Sequence, residues 1–264
     1  MEDIVLTRCN VLGIGVHTVD MTSAVQTLDR AVRTNQKGYV CVTGVHGVME
    51  SQSEPNLRHI LNAAFLNVPD GMPLVWVGRF QKFDHMGRVY GPDLMKAICE
   101  ISILRGHTHF FYGGNEGRAE ELKEVCEQQF PGIKVVGTYT PPFRLLNEEE
   151  EKELVDQVAA VKPDFFWVGL STPKQEIFMA NYLAKLQTKI MLGVGAAFDI
   201  NTGHIKDAPD WMKNAGLQWL HRLLQEPRRL GRRYLINNPI FVWKVFHQFM
   251  RLKRYGIWER KVHE

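Results

Sequence analysis

In the run AAFLNVPDGMPLVW one carboxylate, Asp70, stands between two apolar segments. A carboxylate held at such a turn could serve as a general base that takes a proton from a hydroxyl. Pro-Asp-Gly is also an ordinary turn sequence, so the distinction rests on which other groups the chain can supply. Three further stretches, YGGNEG, GLSTPKQE and GVGAAFD, end apolar runs in Gly or small polar residues. Glycine lets backbone amides approach a ligand, and a helix starting there favours phosphate. These stretches offer Gly113, Gly114, Lys174, Gly195, Phe198 and Asp199 as candidate ligand contacts.

Cations for such a ligand are concentrated near the end of the chain. Of 32 Lys/Arg and 29 Asp/Glu, 13 and 5 fall from His204 onward, so that segment carries +8 and the rest −5. A basic end implies an anionic partner. Arg222, Arg228, Arg229, Arg232 and Arg233 lie within twelve residues, and Arg suits bidentate phosphate contacts. Arg222, Arg229 and Arg232 would share one face of a continuous helix, unless Pro227 interrupts it. The chain has no D-x-D pair to hold a metal on a diphosphate. The expectation is therefore neutralisation by the protein's own arginines, with no metal and no cofactor. G-x-G-x-x-G is also missing, which argues against a nicotinamide enzyme.

The elements that must position these groups are legible as alternating runs. YVCVTG, HFFYGG, IKVVGTY, DFFWVGL and IMLGVGA are apolar at nearly every residue, as strands buried on both faces of a parallel sheet are. VLGIGVH reads as another strand. MTSAVQTLDRAVRT, EGRAEELKEVCEQQ, EEEEKELVDQVAAV and PKQEIFMANYLAKL have helical spacing, the third entered near Asn147. This alternation predicts an α/β fold with a Rossmann-like, mainly parallel sheet flanked by helices. Ligands in such sheets sit beyond the carboxyl ends of the strands, where the loops above fall. The change in charge balance places a boundary at 204/205, with 1–204 as the core and 205–264 as a helical, basic appendage.

Four scattered cysteines read as reduced thiols of a cytoplasmic protein. MEDIVLTRCN has no signal-peptide pattern, and no run of 18 apolar residues occurs. Four of the six tryptophans, Trp211, Trp219, Trp243 and Trp258, lie in the basic end. There Phe241, Val242, Val245, Phe246 and Phe249 suggest an apolar face beside cations, suited to an anionic membrane surface more than to nucleic acid. A non-catalytic membrane adaptor would explain this end, but not NVPDG or the three ligand loops.

NVPDG, GRVYGPDL, GLSTPKQE, GVGAAFDINTGHIKDAP and GLQWLHRLLQEPRR occur in this order, and together they resemble the WecG/TagA/CpsF family of bacterial glycosyltransferases. The resemblance runs from about residue 10 to 235. It implies metal-independent, inverting transfer from a UDP-sugar to a polyprenyl-diphosphate-linked sugar, by a protein peripheral to the inner face of the cell membrane. It implies Asp70 as base, Thr43, Arg88 and Gln175 as further catalytic residues, and Arg222, Arg229 and Arg232 as appendage arginines. Teichoic-acid members look as if they carry T-P-N-x-E where this chain reads TGVHGVME. His46 is then the nearest polar side chain left for a ligand. Exopolysaccharide members look more similar, which moves the expected donor from N-acetylmannosamine toward a glucose-like sugar.

Overall fold

A computed structural model describes residues 6–257; the first residues of MEDIVLTRCN and the last seven of the chain, Trp258 among them, lie outside these. In chain order the elements are β1 (Arg8–Val11), β2 (Ile14–His17), α1 (Met21–Arg33), β3 (Gly38–Thr43), α2 (Val45–Glu50), α3 (Pro55–Ala63) and β4 (Leu66–Pro69). Then come α4 (Met72–Phe80), α5 (Gly91–Arg105), β5 (Thr108–Gly113), α6 (Arg118–Gln129), β6 (Lys134–Tyr139), α7 (Glu148–Val161) and β7 (Phe165–Gly169). α8 (Lys174–Tyr182), β8 (Ile190–Gly193), α9 (Ala197–Asn201), α10 (Asp210–Asn214), α11 (Gln218–Gln225) and α12 (Pro227–Phe249) complete the described chain.

Six strands form one sheet in the order β4-β3-β8-β7-β5-β6, and the pairs β3–β8, β8–β7, β7–β5 and β5–β6 are parallel. The α/β fold expected from the alternating runs is thus the observed one. VLGIGVH is not a single strand. Leu12 and Gly13 both take positive φ, 53° and 87°, and turn the chain between β1 and β2, an antiparallel hairpin. A two-residue turn with two positive φ values matches the strands' own twist. Asn147 caps α7 as its sequence suggests: it accepts from Glu150 N at 2.8 Å, and Glu150 Oε2 accepts from Asn147 N at 2.9 Å. Such a cap contributes about 1 kcal/mol.

The chain divides into two compact units. The first comprises the described residues up to Met21, Val42–Tyr90, and those from Asp207 on; the second comprises Thr22–Cys41 and Gly91–Lys206. In the second unit Phe110, Phe111, Phe165, Phe166 and Trp167, on β5 and β7, are essentially fully buried. Each such side chain contributes roughly 1.5–3 kcal/mol through the water it sheds. In the first unit the basic end does not stand by itself. Leu230 and Phe241 of α12 are buried, and Phe249 packs on Phe80 of α4 with ring centroids 5.5 Å apart. Gln248 ties α12 to the hairpin, accepting from Leu12 N at 2.9 Å and donating to Asn10 O at 2.8 Å. The expected single apolar face of α12 is therefore split. Phe241 points into the unit, while Val242, Trp243 and Phe246 stand exposed.

Candidate functional site

Asp70 follows β4 directly, and main-chain hydrogen bonds fix where it stands. Its N–H donates to Thr43 O at 2.9 Å, and Val89 N donates to Pro69 O at 2.8 Å. The ends of β3 and β4 are thus tied together, and β4 is tied to the stretch that carries Arg88. A β-carbon at Gly44 would stand 3.7 Å from Asp70 Oδ2, so a larger residue there would cover the carboxylate. Thr43 is 2% exposed, and its hydroxyl has no hydrogen-bond partner among the described residues. A buried hydroxyl left in that state costs free energy that a ligand's hydroxyl could recover.

Tyr90 is the hub of this cluster. Its hydroxyl donates to Asp207 Oδ1 at 3.0 Å, and Lys213 Nζ donates to Asp207 Oδ2 at 2.9 Å. Arg88 lies over the Tyr90 ring at 4.7 Å and donates from Nη1 to Gln218 Oε1 at 3.0 Å. Burial pushes the Tyr90 phenol up, the negative charges of Asp207 and Asp70 push it further, and Arg222 opposes them. Burial works against ionisation of Asp207, but hydrogen bonds from Lys213 and Tyr90 hold its carboxyl below the ordinary range. Thr43, Asp70, Arg88 and Arg222 therefore belong to one neighbourhood of the first unit. Tyr90, Asp207, Lys213 and Gln218 belong to it too, although sequence reasoning did not select them. Tyr90 and Asp207 lie inside the quoted motifs, yet nothing in the chain signals that residues 117 positions apart are bonded.

The three appendage arginines do not share a helix face. α11 ends at Gln225, and α12 begins at Pro227, whose ring cannot continue the preceding helix. Arg222 remains on α11 and donates from Nη2 to Glu226 Oε2 at 3.3 Å. Arg229, half-exposed on α12, donates from Nε to Glu226 Oε1 at 2.7 Å and contacts Oε2 through Nη2. Arg232 is exposed. His46 lies in the first turn of α2, its Nδ1 3.6 Å from Glu50 Oε1.

The second unit carries the remaining candidates at its strand ends. Gln175, 3% exposed, uses its amide structurally: Oε1 accepts from Gly195 N at 2.9 Å and Nε2 donates to Glu176 Oε1 at 3.0 Å. That pair braces the loop after β8 and leaves one amide hydrogen for a ligand. Lys174, the first residue of α8, is exposed. Gly113 and Gly114 have φ of 116° and 81°, and a β-carbon on Gly113 would lie 2.9 Å from the Gly169 backbone. Close strand approach thus requires glycine at 113. Phe198, expected as a ligand contact, is 1% exposed and fills the space beside Gly114 and Gly169. Its part is to shape the loop floor. Asp199 Oδ1 is 2.8 Å from Arg118 Nε. Among the described residues no three His, Cys, Asp or Glu side chains gather as a metal would require.

Residues 9–255 match the family model described as Glycosyl transferase WecG/TagA/CpsF family. Two curated relatives are both named N-acetylglucosaminyldiphosphoundecaprenol N-acetyl-beta-D-mannosaminyltransferase. That from Bacillus spizizenii is 29% identical over 227 residues, 86% of either chain. That from Bacillus subtilis strain 168 is 27% identical over 173 residues, 66% of either chain and so just under two thirds of that relative's length.

Proposed function

The chain belongs to the WecG/TagA/CpsF family and is a glycosyltransferase, and from that premise we propose that it moves a hexose, with inversion, from a UDP-sugar to a polyprenyl-diphosphate-linked sugar. The observation that carries this reading is the neighbourhood of Tyr90, where two carboxylates, Asp70 and Asp207, and two guanidiniums, Arg88 and Arg222, converge from distant parts of the sequence. Asp70 takes the proton of the attacking acceptor hydroxyl. Arg88 and Arg222 stabilise the negative charge that grows on diphosphate as the donor bond breaks, with no metal required. Thr43 orients a sugar hydroxyl. In the second unit, taken by itself, the remaining amide hydrogen of Gln175 and the stretches of Gly113, Gly114, Lys174 and Gly195 are candidate ligand contacts. The relatives' name points to N-acetylmannosamine, while Gly44, which places no side chain beside Asp70, and the TGVHGVME stretch are the features that favour a glucose-like donor. Synthesis of an exopolysaccharide or another cell-surface polysaccharide is the setting such a product serves.

The test is release of UDP, measured with a polyprenyl-diphosphate-linked N-acetylglucosamine acceptor, a panel of UDP-hexoses and excess chelator. Turnover with one donor in the presence of chelator is expected. Complete loss that magnesium or manganese restores would refute charge neutralisation by arginine. No release with any donor would refute the substrate assignment.

Access to a lipid-linked acceptor comes, in this proposal, from docking on an anionic membrane. No helix among the described residues is long and apolar enough to cross one. The support is a set of exposed apolar side chains, Phe80, Val242, Trp243 and Phe246, in the unit that also carries Arg251, Lys253 and Arg254. Those three cations line, with Asn10, Gln248 and Tyr255, a shallow pocket of about 480 Å³. Each cation near an anionic leaflet contributes about 1 kcal/mol, so neutralising all three should weaken vesicle flotation by roughly a hundredfold. Turnover on a short water-soluble acceptor should survive. Unchanged flotation would place the docking surface elsewhere.

A further inference from the structure

We propose that Glu176 is a positioning residue of the transfer: its carboxylate sets the hydrogen-bond direction of two neighbouring groups, Gln175 and Thr172, and so decides which donor sugars the second unit accepts. That these groups meet the donor sugar rests on the glycosyltransferase reading above; how Glu176 holds them rests on the second unit alone. Glu176 is 1% exposed. Its Oε1 accepts from Thr172 Oγ1 at 2.9 Å and from Gln175 Nε2 at 3.0 Å. Thr172 and Gln175 therefore stand side by side around one oxygen.

Burying a carboxylate is costly, and a methionine would fill similar space without that cost. What the carboxylate supplies is an acceptor that never donates. A glutamine amide can turn over, exchanging its donor and acceptor ends. Two partners of opposite kind forbid this for Gln175. Gly195 N–H requires the oxygen, at 2.9 Å, and Glu176 requires the nitrogen. Packing holds the side chain as well: a β-carbon on Gly193 would lie 3.1 Å from Gln175 Cδ and 2.7 Å from Met179 Cε. Burial pushes the Cys41 thiol up, and the nearby Glu176 charge adds to it. Cys41 and Gly193 are paired residues of β3 and β8, so the carboxylate stands close to the strand end from which the Gly195 loop leaves.

With its oxygen on Gly195 and one hydrogen on Glu176, Gln175 offers a ligand one N–H and no acceptor. With its proton on Glu176, Thr172 offers lone pairs and no donor. A sugar hydroxyl that accepts from Gln175 and donates to Thr172 satisfies both. A sugar that places no hydroxyl there leaves both unpaired, and a site of this kind discriminates strongly. Without Glu176 both groups can reverse, and the discrimination is lost.

The experiment uses the full chain, a panel of UDP-hexoses and the lipid-linked N-acetylglucosamine acceptor. It reads kcat/KM for each donor and the calorimetric affinity for UDP. Glu176→Met is expected to lower kcat/KM for the preferred donor about tenfold or more. It should narrow the gap between that donor and its epimers and leave UDP affinity unchanged, since UDP lacks the hexose. Glu176→Gln keeps an oxygen at that place but lets the amide turn, so it should fall between Glu176→Met and wild type. The exchange of Gln175→Glu with Glu176→Gln keeps the bond to Gly195 and the bond between residues 175 and 176, but leaves no N–H for the sugar. The exchanged protein should bind UDP normally and transfer as poorly as Glu176→Met. Wild-type selectivity in Glu176→Met, UDP affinity falling in step with kcat/KM, or normal transfer by the exchanged protein would each overturn the proposal. If Glu176→Met does not fold, Glu176→Gln and the exchanged protein decide by the same readings. Wild type that releases no UDP with any donor rejects the substrate assignment instead. Calorimetry with the UDP-hexoses then decides the role of Glu176, and the same order of affinities in wild type and Glu176→Met would overturn it.

Discussion

Asp70→Asn is expected to lower turnover by about 10²- to 10⁴-fold, the range of general-base contributions, while the protein stays folded. The two side chains have nearly the same shape. The main-chain bond from residue 70 to Thr43 O, which fixes the position, is unaffected by the change. What is lost is the ability to accept a proton from the acceptor hydroxyl. Turnover should fall with little change in the KM of either substrate, since a base acts in the transition state more than in binding. Turnover within about threefold of wild type would remove Asp70 from the reaction, because even the low end of the range is larger. Equal chemical-denaturation midpoints for the two proteins would confirm that the loss is chemical.

Acidification from pH 7.5 to pH 5 is expected to cost the fold roughly 4 kcal/mol, through two buried histidines. Burial lowers His17 to about 4, and the neighbouring Arg8 charge adds to the effect. Arg8 Nε donates to His17 Nε2 at 3.0 Å, so a proton on that nitrogen would set two donors face to face. Burial likewise lowers His109 to about 3, with His107 adding to it. Trp167 Nε1 donates to His109 Nδ1 at 3.0 Å, which leaves the ring neutral with its proton on Nε2. Both folded-state values lie below the unfolded value near 6.5. Above pH 6.5 neither state is protonated and the effect vanishes. Below it the unfolded chain takes up protons that the folded chain refuses, so stability falls by about 1.4 kcal/mol per pH unit for each histidine. The fall continues until the folded values, about 4 and about 3, are reached. At pH 5 this amounts to roughly 2 kcal/mol for each, a large part of a typical 5–15 kcal/mol. Denaturant midpoints followed by tryptophan fluorescence across this window test the expectation. A flat profile from 7.5 to 5 would show that both rings accept protons without opening the fold.

Much of this protein was determined by its sequence alone, wherever the physics is local. Three adjoining strands, β5, β7 and β8, are continuous apolar runs because both faces of a parallel sheet are covered, whereas IKVVGTY, read the same way, forms the edge strand β6 and is only partly buried. The Asn147–Glu150 cap involves residues three apart. The ordered motifs identify the family because they sit in one register along the chain. Tertiary structure decided what depends on side chains meeting across long separations. The bond between Tyr90 and Asp207 is invisible in a linear pattern. Helical spacing also placed Arg222, Arg229 and Arg232 on one continuous helix, but Pro227 ends one helix and starts another, so Arg222 stands on α11 and Arg229 and Arg232 on α12, with Arg222 and Arg229 meeting at Glu226 instead. Phe198 and Phe241 looked available to a ligand and a membrane, yet both are buried, since apolar composition does not say which side of a helix the core will claim.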